Sequence, residues 1–136
     1  MFDNPLVAVL MDYVSAHQPE EVARVGHEVT GPDRHVLKVA PLGQAPALEL
    51  RVTGSVADFF IGELPAIEID ARNNRDLSEL RSILEALSRG ELSVRYVRIF
   101  GRWRPRAVEC DAGSWSFPVP PMSRRSKERV EVLGTQ

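Results

Sequence analysis

The sequence predicts an α+β fold: a single domain whose mainly antiparallel, meandering sheet of about 6–8 strands packs on an amphipathic helix at about 77–89, with an N-terminal helix at about 5–17. Three observations carry this expectation. Two segments repeat apolar residues at spacings of three and four, the period of a helix with one buried face. Several others alternate apolar with polar residues, the period of a half-buried strand. The turns between those alternating segments are two or three residues long, and a parallel crossover needs a dozen or more.

Asn4-Pro5 opens the first helix, with the amide as cap and proline at the first helical position, where its missing N–H costs nothing. Leu6, Val9, Leu10, Tyr13 and Val14 make one apolar face. Ala23, Val25, His27 and Val29 then alternate with polar or small residues, Gly31-Pro32-Asp33 turns the chain, and Val36–Val39 returns as a hairpin. In that hairpin His35 is expected opposite Glu28. Leu48, Leu50 and Val52 alternate with Glu49, Arg51 and Thr53; Gly54-Ser55 leads into Val56–Ile61, and Gly62-Glu63 into Leu64–Asp70. The helix at 77–89 carries Leu77, Leu80, Ile83, Leu84 and Leu87 in one stripe, starts on Asp76 with Glu79 as a capping-box pair and stops at Gly90. Leu92–Phe100 and Trp103–Asp111 form a second hairpin about Gly101-Arg102, with a short strand at Ser114–Phe117. The prolines at 118, 120 and 121 and the charged run after them place residues 1–118 in the domain and leave 119–136 as a flexible basic tail.

A chain of 136 residues buries roughly two-thirds of its unfolded surface, enough for a core without staples. The single Cys110 has no intrachain partner, so no disulfide framework exists, and a reducing, cytoplasmic setting is expected. The apolar start is broken by Asp12, well short of the roughly 20 residues of a membrane span, and no membrane partner is expected. The net charge of −2 conceals a polarity. Residues 1–94 hold 8 basic and 15 acidic side chains, and residues 95–136 hold 9 basic and 4 acidic. Such a separation can create fields that steer a charged partner.

The sharpest local feature is 95–106, with five arginines, three aromatics and no acid in twelve residues. Cations interleaved with rings are what single-stranded nucleic acid binding requires. A turn at Gly101-Arg102 sorts them, however, with Arg95, Arg104, Arg106, Val97 and Ile99 on one face and Tyr96, Arg98, Phe100 and Trp103 on the other. Pro105 lacks an N–H and belongs at an edge or a bulge. Phe59 and Phe60 are adjacent in a strand and point to opposite faces, so one enters the core and the other meets a second layer or an interface. The candidate partner-binding residues are therefore Arg95, Arg98, Arg102, Trp103, Arg104, Arg106, Phe59 and Phe60.

Catalytic and metal residues are not expected. His17, His27 and His35 stand at no metal-binding spacing, and neither a Gly-x-Ser-x-Gly elbow nor a glycine-rich phosphate loop is present. No cofactor is implied. The element order over about 5–111 resembles that of small secretion-chaperone-like adaptors and of some bacterial immunity proteins, which implies partner binding without catalysis. The leading reading is a non-enzymatic protein-binding module acting on another protein or on a second copy as a homodimer. The alternatives are a nucleic-acid-binding accessory domain using Arg95–Arg106, and a small-ligand carrier or enzyme.

Overall fold

The computed structural model describes residues 4–17, 25–40, 46–119 and 127–133. The α+β expectation holds. Helix α1 (Pro5–His17) precedes strands β1 (Val25–Gly31), β2 (Arg34–Val39), β3 (Leu48–Thr53), β4 (Val56–Ile61) and β5 (Ile67–Asp70). Helix α2 (Asn74–Ser88) follows, and then β6 (Leu92–Ile99), β7 (Arg102–Cys110), β8 (Gly113–Ser116) and β9 (Glu128–Leu133). All strand pairs are antiparallel. The sheet is divided in two: a five-stranded meander β1-β2-β3-β4-β5, and a four-stranded sheet in the order β8-β7-β6-β9. The division falls at α2, which carries the chain away from β5 before β6 begins.

One core serves both sheets. From the first sheet come Leu37, Leu48, Leu50, Val52, Phe59, Ile61 and Ile69; from the second, Leu92, Val94 and Val108. The same core takes in Leu6, Leu10 and Val14 of α1 and Leu80, Ile83, Leu84 and Leu87 of α2. The helices touch each other, α1 packs on β3, and α2 packs on both β5 and β6. Each fully buried leucine or isoleucine in this seam contributes on the order of 1.5–3 kcal/mol.

The helix ends explain how these elements are aimed. Asn4 is buried and uses both ends of its amide. Its Oδ1 accepts from the N–H groups of Leu6 and Val7, capping α1. Its Nδ2 donates to Asp33 Oδ1 at 3.2 Å and to the Gly54 carbonyl at 2.9 Å. One side chain thus ties α1 to the β1–β2 and β3–β4 turns. Helix α2 starts three residues earlier than expected, because Asn73, not Asp76, is the cap, accepting from the Arg75 N–H. Asp76 instead accepts from the Asp70 N–H, and Glu79 reaches sideways to Arg75 and Trp115. At the far end Gly90 takes φ 67°, while the Gly90 and Glu91 N–H groups close on Leu87 and Ala86, turning the chain into β6.

The second difference from expectation lies in the tail. Residues 128–133 are β9, paired along β6 from Leu92↔Leu133 to Val97↔Glu128, so the described residues hold nine strands and the sheet extends past residue 118. The rest of the expected tail, 120–126 and 134–136, lies outside the described residues.

Replacing Asn4 by Ala removes the cap and both tethers while opening little volume. The expected cost is about 2 kcal/mol, read as a lower midpoint in urea unfolding with an unchanged m-value.

Candidate functional site

The β6–β7 hairpin turns at Phe100-Gly101, not at Gly101-Arg102. Ile99 pairs with Arg102, Arg98 with Trp103, Val97 with Arg104 and Tyr96 with Pro105. Both turn residues have positive φ, 50° for Phe100 and 78° for Gly101, the signature of the two-residue turn whose twist matches its strands. Relative to the expected register each partner moves by two residues, so the side chains keep their faces. Tyr96, Arg98 and Trp103 share one face; Arg95, Val97, Ile99, Arg102 and Arg104 share the other. Arg106 sits in a bulge, since Pro105 opposes Tyr96 while Ala107 opposes Arg95. The bulge accommodates the proline, and β8 pairs only from Ala107 onward, so no ladder bond is lost there.

The five arginines divide by electrostatics. Arg95 Nε donates to Glu109 at 2.8 Å and its Nη1 to Glu128 at 3.1 Å, and Arg106 donates to the other oxygen of Glu128. Hydrogen bonding to Glu109, then to Glu128, holds the Arg95 guanidinium above its ordinary range. These two arginines are neutralised within the sheet. Arg98, Arg102 and Arg104 are exposed and make no ion pair among the described residues. They surround the turn.

The aromatics divide too. Strand β9 places Arg129 opposite Tyr96, and its guanidinium lies 5.0 Å from the Tyr96 ring centre and 4.8 Å from that of Trp103. Both rings are half-buried. Burial raises the Tyr96 phenol above its ordinary range; nearby Glu131 adds to the shift and Arg129 opposes it. Phe100, at the apex, is 97 % exposed. The result is a bare phenyl ring on a cationic rim, supported by a cation–π stack one step below.

The two phenylalanines among the candidate partner-binding residues lie in the first sheet, on opposite faces of β4. Phe59 is fully buried in the core. Phe60 is half-buried on the solvent face of the first sheet, beneath the Arg51 guanidinium at 5.2 Å, and Arg51 itself pairs with Glu49. Sequence reasoning missed Phe100, Arg129 and Glu128 as parts of the site. A Phe-Gly pair between alternating runs was the available signal for the first; Arg129 and Glu128 depend on the pairing of β9, which no local pattern specifies.

Elsewhere, Trp115 packs at the core edge and donates its indole N–H to Glu79 at 3.0 Å. Cys110 is half-buried against the core. The expected opposition of His35 and Glu28 is corrected: a bulge at Thr30 sets His35 opposite Val29 and Glu28 opposite Val36. Among the described residues no group of three or more His, Cys, Asp or Glu is placed to hold a metal ion, and no helix is long and apolar enough to cross a membrane.

A phenylalanine in the left-handed region is strained, whereas asparagine tolerates it. Phe100→Asn is therefore expected to stabilise the fold by about 1 kcal/mol, seen as a raised midpoint in urea unfolding. Comparison of the chain with protein-family models, with curated proteins and with solved structures finds no match in any of the three.

Proposed function

We propose that this protein is a non-catalytic protein-binding module, and that its docking element is the tip of the β6–β7 hairpin, which takes an acidic surface of another protein. The observation that carries the reading is Phe100: a large ring 97 % exposed, held in a backbone conformation that works against it, at the centre of three arginines that make no ion pair among the described residues. Local strain kept at a protruding position is a mark of function, because folding alone selects against it. An aromatic anchor that enters a pocket, rimmed by guanidinium groups that meet carboxylates, is the usual energetic centre of a protein interface.

Arg129 favours this reading over nucleic acid. Binding to single strands needs ring faces open to stacking bases. Here Arg129 lies against both Tyr96 and Trp103, leaving Phe100 as the fully exposed ring of the hairpin.

The test is affinity capture from native lysate treated with nuclease, comparing the wild-type chain with Phe100→Asn and with a variant carrying Arg98→Ser, Arg102→Ser and Arg104→Ser. The expected result is a protein retained after nuclease and depleted about tenfold or more by either variant, the effect of losing a contact worth ~1.4 kcal/mol or more. A partner captured equally by all three chains, recovered material that vanishes with nuclease, or an eluate without a second protein contradicts the proposal.

A further inference from the structure

At the β1 edge of the first sheet the inner face carries two imidazoles. His27 lies in the row that continues through Leu37, Leu50 and Phe59 into the core, and His35 in the neighbouring row with Val29 and Val52. They stand diagonally across the β1–β2 ladder. His27 Nε2 and His35 Nδ1 are 3.0 Å apart, with ring centres at 5.2 Å and planes inclined by 36°. Both line a cleft of about 600 Å³ that also takes in Asn4, Asp33, Ser55 and Arg72.

A hydrogen bond between two imidazoles needs one N–H and one lone pair, so both facing nitrogens offer lone pairs to a cation once that proton shifts to the other nitrogen of the donor ring. The spacing suits a shared cation. Two nitrogens 3.0 Å apart, each about 2.05 Å from a zinc ion, subtend roughly 94° at the metal, and opening them by a few tenths of an ångström reaches the tetrahedral angle.

The surroundings supply what a metal-binding imidazole uses on its other nitrogen. His35 Nε2 faces Asp33 Oδ1 at 3.7 Å, and that same oxygen accepts from Asn4 Nδ2 at 3.2 Å. Asp33 is held in turn by the tight β1–β2 turn, where its φ is 55°. A carboxylate on that side favours the tautomer with its proton on Nε2 and its lone pair on Nδ1, the nitrogen that would ligate. The cleft leaves room for water to complete the shell.

We propose that His27 and His35 form a two-imidazole site for a divalent cation that prefers nitrogen ligands, Zn²⁺ foremost, with Asp33 as the positioning residue for His35. Only two protein ligands contribute, so the site is exchangeable. The reading is independent of the hairpin, which lies in the other sheet.

Isothermal titration of chelator-treated protein with Zn²⁺ at pH 7.5 tests it. The expected result is one ion per chain at micromolar affinity, weakened at least tenfold by His27→Gln and by His35→Gln, and several-fold by Asp33→Asn without a change in stoichiometry. Long-range ¹H–¹⁵N spectra of the wild-type imidazoles serve if a variant fails to fold: Zn²⁺ should move His27 Nε2 and His35 Nδ1. Absence of binding at 100-fold excess metal, binding unchanged in both histidine variants, binding abolished by Cys110→Ser instead, or shifts confined to His17 would each overturn the proposal.

Discussion

The structure depends on one shared apolar seam. Neither sheet closes a core alone: the first offers a single apolar face, and the second contributes only the rows through Leu92, Val94 and Val108. Helix α2 joins them, with Leu80, Ile83, Leu84 and Leu87 buried where α1, β5 and β6 converge. Its ends are fixed by backbone chemistry as well as by packing. Asn73 starts the helix, the left-handed Gly90 ends it, and the Glu79 carboxylate holds the Trp115 indole of the second sheet. Displacing α2 would therefore remove the helix that packs on both sheets.

What the second sheet presents to solvent follows from that anchoring and from β9. Once β6 is fixed at its Leu92 end, its other end runs, with Val97 and Ile99 buried, into the turn that exposes Phe100. Strand β9 pairs along it, and the Arg98 N–H meets the Lys127 carbonyl at 3.0 Å. The pairing has an unusual polarity. Val130 and Val132 face outward and are exposed, while Arg129 and Glu131 lie on the face of Tyr96 and Val94. The polar inward row gives β9 its role: Arg129 occupies the rings of Tyr96 and Trp103, and Glu128, on the opposite face, neutralises Arg95 and Arg106. The charge left over is concentrated at the tip, beside Phe100.

How much of this was legible in the sequence depended on whether the deciding contact was local. Asn4-Pro5, the leucine stripe of α2 and the alternation in β3 and β4 are set within a few residues, and each formed where periodicity placed it. The cap of α2 was misplaced because Asn73 and Asp76 are both good capping residues, and only the approach of β5 showed that Asp76 was engaged elsewhere. The division into two sheets and the insertion of β9 are long-range choices; prolines and charges around 118–129 outweighed the short Val130/Val132 alternation. On the hairpin, the sorting of Arg98 and Trp103 to one face and Arg104 to the other survives a displaced turn because the register differs from expectation by an even number of residues. Phe59 and Phe60 point to opposite faces of β4, as adjacency in a strand requires, and only Phe59 enters the core.

The surface around Phe100 depends on the register of the hairpin and on β9 beside it. The direct measurement is a set of nuclear Overhauser contacts across β6, β7 and β9 in the full chain. The structure predicts cross-strand contacts between Arg98 and Trp103 and between Tyr96 and Arg129, with a left-handed backbone at Phe100. Contacts pairing Phe100 with Trp103, or the absence of any between β6 and residues 128–133, would contradict it, because Phe100 would leave the apex and Arg129 would leave the rings.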